Sequence, residues 1–277
     1  MPTLMLDGRA VRTALIPALA DRVKGLIVPP VLAIFQVGDR ADSTAFIKAK
    51  MAFGAKIGVP VKHVHLPEGI GQQELIAQIK QLNADASIHG IIVQLPLPIA
   101  LDQDAVIESI DPRKDVDSLT SYNIKRWMDG REDALWPATT SGVKELLAHY
   151  MIDLSGKRVA VVGRSMLVGK PLAAFCTNEG AEVIVCHSKT PDVAAETKRA
   201  DVLIVAVGKP RLIGADHVKE GAVVIDVGIN REGEKLIGDV DFDAVQPIAG
   251  AITPVPGGVG AMTVLALFEN LVDLCLR

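Results

Sequence analysis

Lys50, Gln94 and Asp117 are the residues in the first half of the chain whose types could do chemistry. Lys50 stands four residues after Phe46, so on a helix the two side chains share one face. An apolar helix face, or a second cation nearby, lowers the pKa of an amine. A lysine tuned in this way can accept and return protons near neutral pH. Gln94 closes an apolar run just before Leu95-Pro96, and Asp117 ends the segment Lys114-Asp115-Val116-Asp117. Taken singly, each also fits a plain role. Lys48 and Lys50 could be solvated helix charges, Gln94 could cap a strand, and Asp117 a helix.

A different chemistry is written at 162–171, Val-Gly-Arg-Ser-Met-Leu-Val-Gly-Lys-Pro. An apolar run leads into it and a helical pattern follows. Strand, glycine loop and helix together point backbone N–H groups at a phosphate. Gly163 allows the tight turn and Gly169 opens the helix. The spacing is not the GxGxxG of the common dinucleotide fingerprint, so the loop by itself also fits a structural βα turn. The next strand ends at Cys186-His187-Ser188-Lys189-Thr190. NAD-binding folds place an acidic residue there to hold the ribose hydroxyls. Here a cation and two hydroxyls stand instead, with Arg164 as a second cation, a set suited to a 2′-phosphate. NADP is therefore expected over NAD, the alternative being a solvated polar turn.

The elements that must carry these residues alternate between strand and helix. In the first half, 9–25 is expected to be a helix and 31–37 a strand. A helix capped by Ser43 then runs to about Ile57 and is stopped by Gly58. Strands follow at 61–66 and 90–94, with a helix at 72–82 between them. A second series has strands at 158–162, 182–186, 201–207 and 222–227, a clear helix at 169–179 and an apolar helix at 260–276. Short Val/Ile runs without alternation imply parallel sheets covered on both faces. The segment 111–142 is rich in Asp, Pro and Thr, holds both tryptophans, and is taken as a domain junction. A ligand is expected in a cleft between the two lobes.

Bulk properties narrow the partners. The 277 residues carry a net charge of −4, with 49% hydrophobic and 22% charged residues, an ordinary balance for a globular protein. That charge argues against general nucleic-acid binding, which needs a basic field. No run approaches the roughly 20 apolar residues of a membrane helix, and the N-terminal sequence, with Asp7 early, does not read as a secretory signal. Cys176, Cys186 and Cys275 are too scattered for a disulfide framework or a zinc site. His63 and His65 would share a strand face without further ligands, so no metal is expected. The cytoplasm is the expected location.

The pieces in order resemble one family over nearly the whole chain. They are Ser43…Lys50, HGIIVQLPLP (89–98), KDVD (114–117), VVGRSMLVGKP (161–171), VCHSKT (185–190), ADVLIVAVGKP (200–210), VIDVGIN (224–230), GDVDF (238–242) and TPVPGGVGAMT (253–263). The sequence is similar to the bifunctional methylenetetrahydrofolate dehydrogenase/cyclohydrolases. The resemblance implies a two-lobed α/β fold. Residues 1–139, completed by the helix at 260–277, would form a folate-binding catalytic domain, and 140–259 a Rossmann-like NADP-binding domain. It implies oxidation of 5,10-methylenetetrahydrofolate with NADP, hydrolysis of the product to 10-formyltetrahydrofolate, and a homodimer formed through the cofactor domain. Lys50 would be the catalytic lysine, Gln94 the residue that tunes it, and Asp117 the carboxylate that holds the pterin. Phe46, Leu95, Pro96, Pro256, Gly257 and Gly258 would also meet folate, with Val259 beside them. Gly163, Arg164, Ser165, Val168, Gly169, His187, Ser188 and Ile229 would meet NADP.

The chain departs from the family pattern at four places. Phe46 stands where a tyrosine is usual and Ser118 where glycine follows the KDVD aspartate. Ala138 replaces a cysteine, with Thr140 in place of a proline, and Ala261 replaces another proline. The missing hydroxyl beside Lys50 bears on the balance of the two reactions, and the Cβ of Ser118 on the geometry of the folate site. Two further readings are a dehydrogenase with weak or absent cyclohydrolase activity and a catalytically silent folate- or NADP-binding paralogue.

Overall fold

Unalternated Val and Ile runs build two separate parallel sheets, because strands with no polar face need cover on both sides. The computed structural model describes residues 2–277. In chain order the strands are Leu4–Met5 (β1), Leu32–Val37 (β2), Val61–Leu66 (β3), Gly90–Val93 (β4), Arg158–Val162 (β5), Glu182–Cys186 (β6), Val202–Val205 (β7), Val223–Asp226 (β8), Asn230–Glu232 (β9), Lys235–Ile237 (β10) and Ala251–Ile252 (β11). The helices are Gly8–Lys24 (α1), Ala41–Ile57 (α2), Gln72–Ala84 (α3), Gln103–Ile107 (α4), Ser121–Met128 (α5), Ala138–His149 (α6), Gly169–Asn178 (α7), Val193–Thr197 (α8), Phe242–Val245 (α9) and Val259–Cys275 (α10).

The chain divides into two compact units. The three-stranded unit comprises Leu15–Ala138 and Val264–Arg277, with strand order β3-β2-β4. Its core packs Phe35, Ile91 and Val93 of the sheet against Leu75 and Ile79 of α3 and Val106 of α4. Gly58 ends α2 in the left-handed region (φ 81°), with its N–H donating to Gly54 O, as expected of a glycine at that position. Ser43 does not cap α2. The helix starts earlier, at Ala41, Arg40 takes the cap position without a side-chain bond, and Ser43 is buried inside the helix. The start of α2 is anchored by buried Gln36, whose Nε2 donates to Thr44 Oγ1 (2.9 Å) and to Gly38 O (3.0 Å).

The six-stranded unit comprises the residues up to Ala14 together with Thr139–Thr263. Its strand order is β1-β11-β8-β7-β5-β6, all parallel. The N-terminal segment as far as Ala14, expected within the span 1–139, thus clusters with the six-stranded sheet. The cause is β1, which pairs with β11 through Leu4↔Ala251 and Met5↔Ile252. Two-residue strands carry too little periodicity to be read from sequence. The strand expected over 201–207 stops at Val205, because the Val207 and Gly208 N–H groups leave the ladder and donate to the Asp239 carboxylate.

The segment 111–142 holds the boundary between the two units, at Ala138 and Thr139. It stays in the three-stranded unit as far as Ala138, forms α5, and buries Trp127 completely. Ser118 lies here at φ 56°, a conformation that favours glycine. It is held there from both sides: Ser118 Oγ donates to Leu135 O (2.7 Å), and Trp127 Nε1 donates to Ser118 O (3.3 Å). The added Cβ is thus accommodated with a compensating hydrogen bond.

Thr140, in the first turn of α6, is fully buried and its hydroxyl has no hydrogen-bond partner. Burying a hydroxyl without a partner costs about 1–3 kcal/mol, and valine has nearly the same shape. Thr140→Val is expected to stabilise the protein by about that amount, read as a higher denaturation midpoint at unchanged m-value. A lower midpoint would show that the hydroxyl is satisfied.

Candidate active site

In the three-stranded unit the site residues gather where the parallel strands end, the edge at which open α/β sheets take their ligands. Gln94 follows β4 directly, and its N–H continues the ladder to Phe35 O on β2 (2.9 Å). The backbone at 114–115 runs beside the same strand: Ile91 N donates to Lys114 O (2.7 Å), and Ile91 and Asp115 form a parallel bridge. Asp117 is delivered two residues later. It lines a small cavity together with Ile91, Val93, Ile107, Ile110, Asp115 and Leu119. Lys50 comes from the third turn of α2.

Lys50 and Gln94 are in contact, and Asp117 lies within electrostatic reach of the lysine. Lys50 Nζ donates to Gln94 Oε1 at 3.1 Å. Gln94 Nε2 donates to Leu95 O at 2.9 Å, which fixes which end of the amide faces the lysine. Burial lowers the Lys50 pKa, partly countered by the charge of Asp117. Burial raises the Asp117 carboxyl, with Lys50 pulling it down and Asp115 pushing it up. Each residue as a whole keeps part of its surface exposed, while its charged end is the buried part. Neighbouring Asp115 is tied up structurally: its Oδ2 accepts from Thr120 N, Thr120 Oγ1 and Asn123 Nδ2. That leaves Asp117 as the carboxylate of the pair directed to other work. Phe46 lies one turn before Lys50 on α2 and is 48% exposed. Leu95 and Pro96 are joined by a cis peptide bond.

The residues expected to meet the cofactor lie in the six-stranded unit. β5 and β6 are paired so that Val162 faces Cys186. The loops 163–168 and 187–190 therefore leave the sheet side by side. Gly163 (φ 130°) cannot carry a side chain, because a Cβ there would lie 2.2 Å from Ala206 O, and one on Gly169 would lie 2.4 Å from Gly163 O. These close approaches make a cradle of bare backbone before α7, the form a phosphate requires. Ser165 Oγ sits over the helix start, accepting from Val168 N (3.3 Å) and Gly169 N (3.4 Å). Across from it, Lys189 N donates to His187 Nδ1 (3.1 Å) and His187 N to Thr190 Oγ1 (3.0 Å). Arg164, Ser188 and Lys189 are exposed. A dinucleotide with a phosphorylated ribose fits this donor set. Pro256 follows a second cis peptide bond, and Gly257 and Gly258 pack against the start of α1, where a Cβ on Gly8 would meet Gly258 O at 2.2 Å. Ile229 is exposed on the loop after β8.

Sequence reasoning gave no role to Gln36, which anchors the helix that carries Lys50, nor to Asp226 and Asp239. The signal for the two aspartates was present in VIDVGIN and GDVDF. Among the described residues no group of three or more His, Cys, Asp or Glu is placed to hold a metal ion.

Comparison with known proteins agrees with this arrangement. Residues 6–117 match the tetrahydrofolate dehydrogenase/cyclohydrolase catalytic domain, and residues 137–277 match the NAD(P)-binding domain of the same family. The chain is 47% identical to the bifunctional protein FolD of Geobacillus thermodenitrificans, over 99% of this chain and 97% of that one. Its fold matches the crystal structure of the bifunctional FolD of Campylobacter jejuni with a TM-score of 0.97 at 42% identity, covering 99% of both chains. A methylenetetrahydrofolate dehydrogenase-cyclohydrolase of Trypanosoma brucei, solved with NADP cofactor and an inhibitor, matches at TM-score 0.94 and 37% identity, over 100% of this chain and 99% of that one. The chain belongs to the tetrahydrofolate dehydrogenase/cyclohydrolase family.

Proposed function

We propose that the chain oxidises 5,10-methylenetetrahydrofolate with NADP and hydrolyses the resulting 5,10-methenyl compound to 10-formyltetrahydrofolate, with Lys50, Gln94 and Asp117 as its working residues. The observation that carries this reading is the Lys50–Gln94 contact beside Asp117, at the strand ends of the three-stranded unit. NADP, when bound, accepts the hydride that leaves the methylene carbon. The residues proposed to hold it are Gly163, Arg164, Ser165, Val168, Gly169, His187, Ser188 and Ile229. For this step the protein's work is alignment of two rings. Asp117 accepts hydrogen bonds from the amino group and ring N–H of the pterin, and Phe46, Leu95 and Pro96 bound the folate.

Hydration asks more of the side chains. Water adds to the methenyl carbon and loses one proton, leaving a carbinol. One carbon–nitrogen bond then breaks with its electron pair going to the ring nitrogen, which is protonated as the hydroxyl gives up its remaining proton and becomes the formyl carbonyl. Lys50 Nζ is the proposed proton carrier, since burial enriches its free amine. Gln94 Oε1 occupies one N–H of that amine, which leaves its lone pair to face the water. Phe46 supplies a ring for stacking but no hydroxyl. The decisive experiment is a spectrophotometric assay of the purified protein, first with methylene- and then with methenyl-tetrahydrofolate. Turnover of neither would defeat the reading.

Cofactor choice has its own test. Lys189 follows β6, where an NAD enzyme places a carboxylate, and Arg164 leaves the sheet on the adjacent loop after β5. A charge-assisted phosphate contact is worth about 1.5–3 kcal/mol, or ~10- to 150-fold. Arg164→Ala is expected to raise the KM for NADP by that factor and to leave the KM for NAD little changed. Equal losses with both cofactors would remove Arg164 from the 2′-phosphate.

We further propose a cytoplasmic homodimer. Its support is β6, the outer strand of the six-stranded sheet, which leaves Val183 and Ile184 half-covered and Val185 exposed. An open edge of this kind needs a partner or a guard. No helix among the described residues is long and apolar enough to cross a membrane.

A further inference from the structure

Two aspartates without an assigned role, Asp226 and Asp239, sit buried together in the six-stranded unit, 3% and 0% exposed. Asp226 ends β8, which pairs with β7 so that Asp226 faces Val205. Val205 in turn faces Val162, the residue before the Gly163 turn. Every oxygen of the pair is engaged by N–H donors. Asp239 Oδ2 accepts from Val207 N (2.6 Å) and Gly208 N (2.8 Å), and its Oδ1 from Asn230 Nδ2 (2.8 Å). Asp226 Oδ1 accepts from Gly228 N (3.0 Å) and Asp239 N (3.1 Å), and its Oδ2 from Val240 N (2.9 Å). The Asp226 N–H itself donates to Thr253 Oγ1 (2.7 Å). Two glycines make room for the carboxylates: a Cβ on Gly228 would lie 2.2 Å from Asp239 Cγ, and one on Gly238 would lie 1.8 Å from Asp226 Oδ2.

Stability alone does not favour this arrangement. Two like charges are buried side by side, and burial pushes the Asp226 carboxyl up to about 6. Polar groups placed at such a cost cluster at functional sites. What the pair holds is specific. Its donors come from the loop after β7 and from both sides of Ile229, through Gly228 and Asn230. The β7 loop also starts at Ala206, whose carbonyl the Gly163 turn approaches.

We propose that Asp226 and Asp239 are positioning residues for the dinucleotide, fixing the loops after β7 and β8 against which it lies. This rests on the NADP reading above and adds the residues that set the shape of that site. Asparagine substitution separates the two positions. In Asp226→Asn both side-chain atoms still face fixed backbone N–H groups, so the new NH₂ must oppose one of them. In Asp239→Asn the NH₂ can face Asn230, whose own amide can turn over and accept.

The test is steady-state kinetics on the full-length protein, with thermal unfolding alongside. Asp226→Asn and Asp239→Ala are expected to raise the KM for NADP by about 10-fold or more, with the KM for methylenetetrahydrofolate within about twofold. Asp239→Asn should recover most of the affinity lost in Asp239→Ala. Equal rises in both KM values, or no rise in folded variants, would overturn the proposal, and so would failure of the asparagine to rescue. If Asp226→Asn does not fold, Asn230→Ala removes a single bond to Asp239 and must still raise the KM for NADP selectively. Failure of the underlying reading looks different: the wild type itself would not reduce NADP with methylenetetrahydrofolate.

Discussion

Lys50→Met is expected to lower hydration of the methenyl compound by about 10²–10⁴-fold, the usual worth of general acid–base assistance. The dehydrogenase should fall far less. Hydride transfer needs the rings aligned, and methionine preserves the length and apolar stem of lysine while removing its proton chemistry. The pH profile adds a second reading. Burial lowers the Lys50 pKa, so free amine accumulates below the ordinary lysine range. The wild-type hydration rate should therefore rise with pH through that lowered limb, and Lys50→Met should lose the limb. Phe46 enters the same experiment. A missing hydrogen bond to a charged group is worth ~1.5–3 kcal/mol, so Phe46→Tyr is expected to raise hydration relative to oxidation. If Lys50→Met hydrates the methenyl compound normally, the lysine assignment is wrong. If Phe46→Tyr alone is silent, the lysine stands and a shifted balance between the reactions does not.

Period and punctuation made the major strands legible. Runs such as 158–162 and 222–227 have one interpretation as buried parallel strands, Gly58 marks a helix limit by its backbone freedom, and Gly169 marks another by the close approach of Gly163 O. Composition misled at Ser43. A hydroxyl near a helix start suggests a cap, but Gln36, which is seven residues earlier in sequence and buried, holds Thr44 and lets the helix begin at Ala41. Strands β1 and β11 were illegible for a different reason: two residues carry no period, and their pairing spans most of the chain. The site was half legible. Types and order suggested Lys50, Gln94 and Asp117, but their proximity depends on Asp115, whose backbone runs beside β4 and whose carboxylate pins Thr120 and Asn123. Asp226 and Asp239 could not be read as a pair, since adjacency across strand ends is a property of the sheet.

Asp117→Ala is expected to weaken folate binding and to slow both reactions together, by about 2–4 kcal/mol or ~30- to 1,000-fold in kcat/KM. Three effects act in one direction. The ring's amino and N–H donors lose their acceptor. The small cavity beside Ile91, Val93 and Leu119 loses one of its lining groups. And the pterin, which both chemistries share, loses its register with the reacting carbon. A fourth effect is separable by pH. Asp117 raises the Lys50 pKa against the lowering by burial, so its removal should let the amine fall further. The residual hydration of Asp117→Ala should therefore keep a pH limb, displaced to lower pH than in the wild type. Asp117→Asn retains one acceptor but no charge, so it should restore part of the folate affinity without restoring the position of that limb. Folate affinity measured by equilibrium titration decides the assignment: a value unchanged in Asp117→Ala would mean that the pterin is held elsewhere. A limb that stays where the wild type has it would mean that Asp117 and Lys50 do not share a field in the working enzyme.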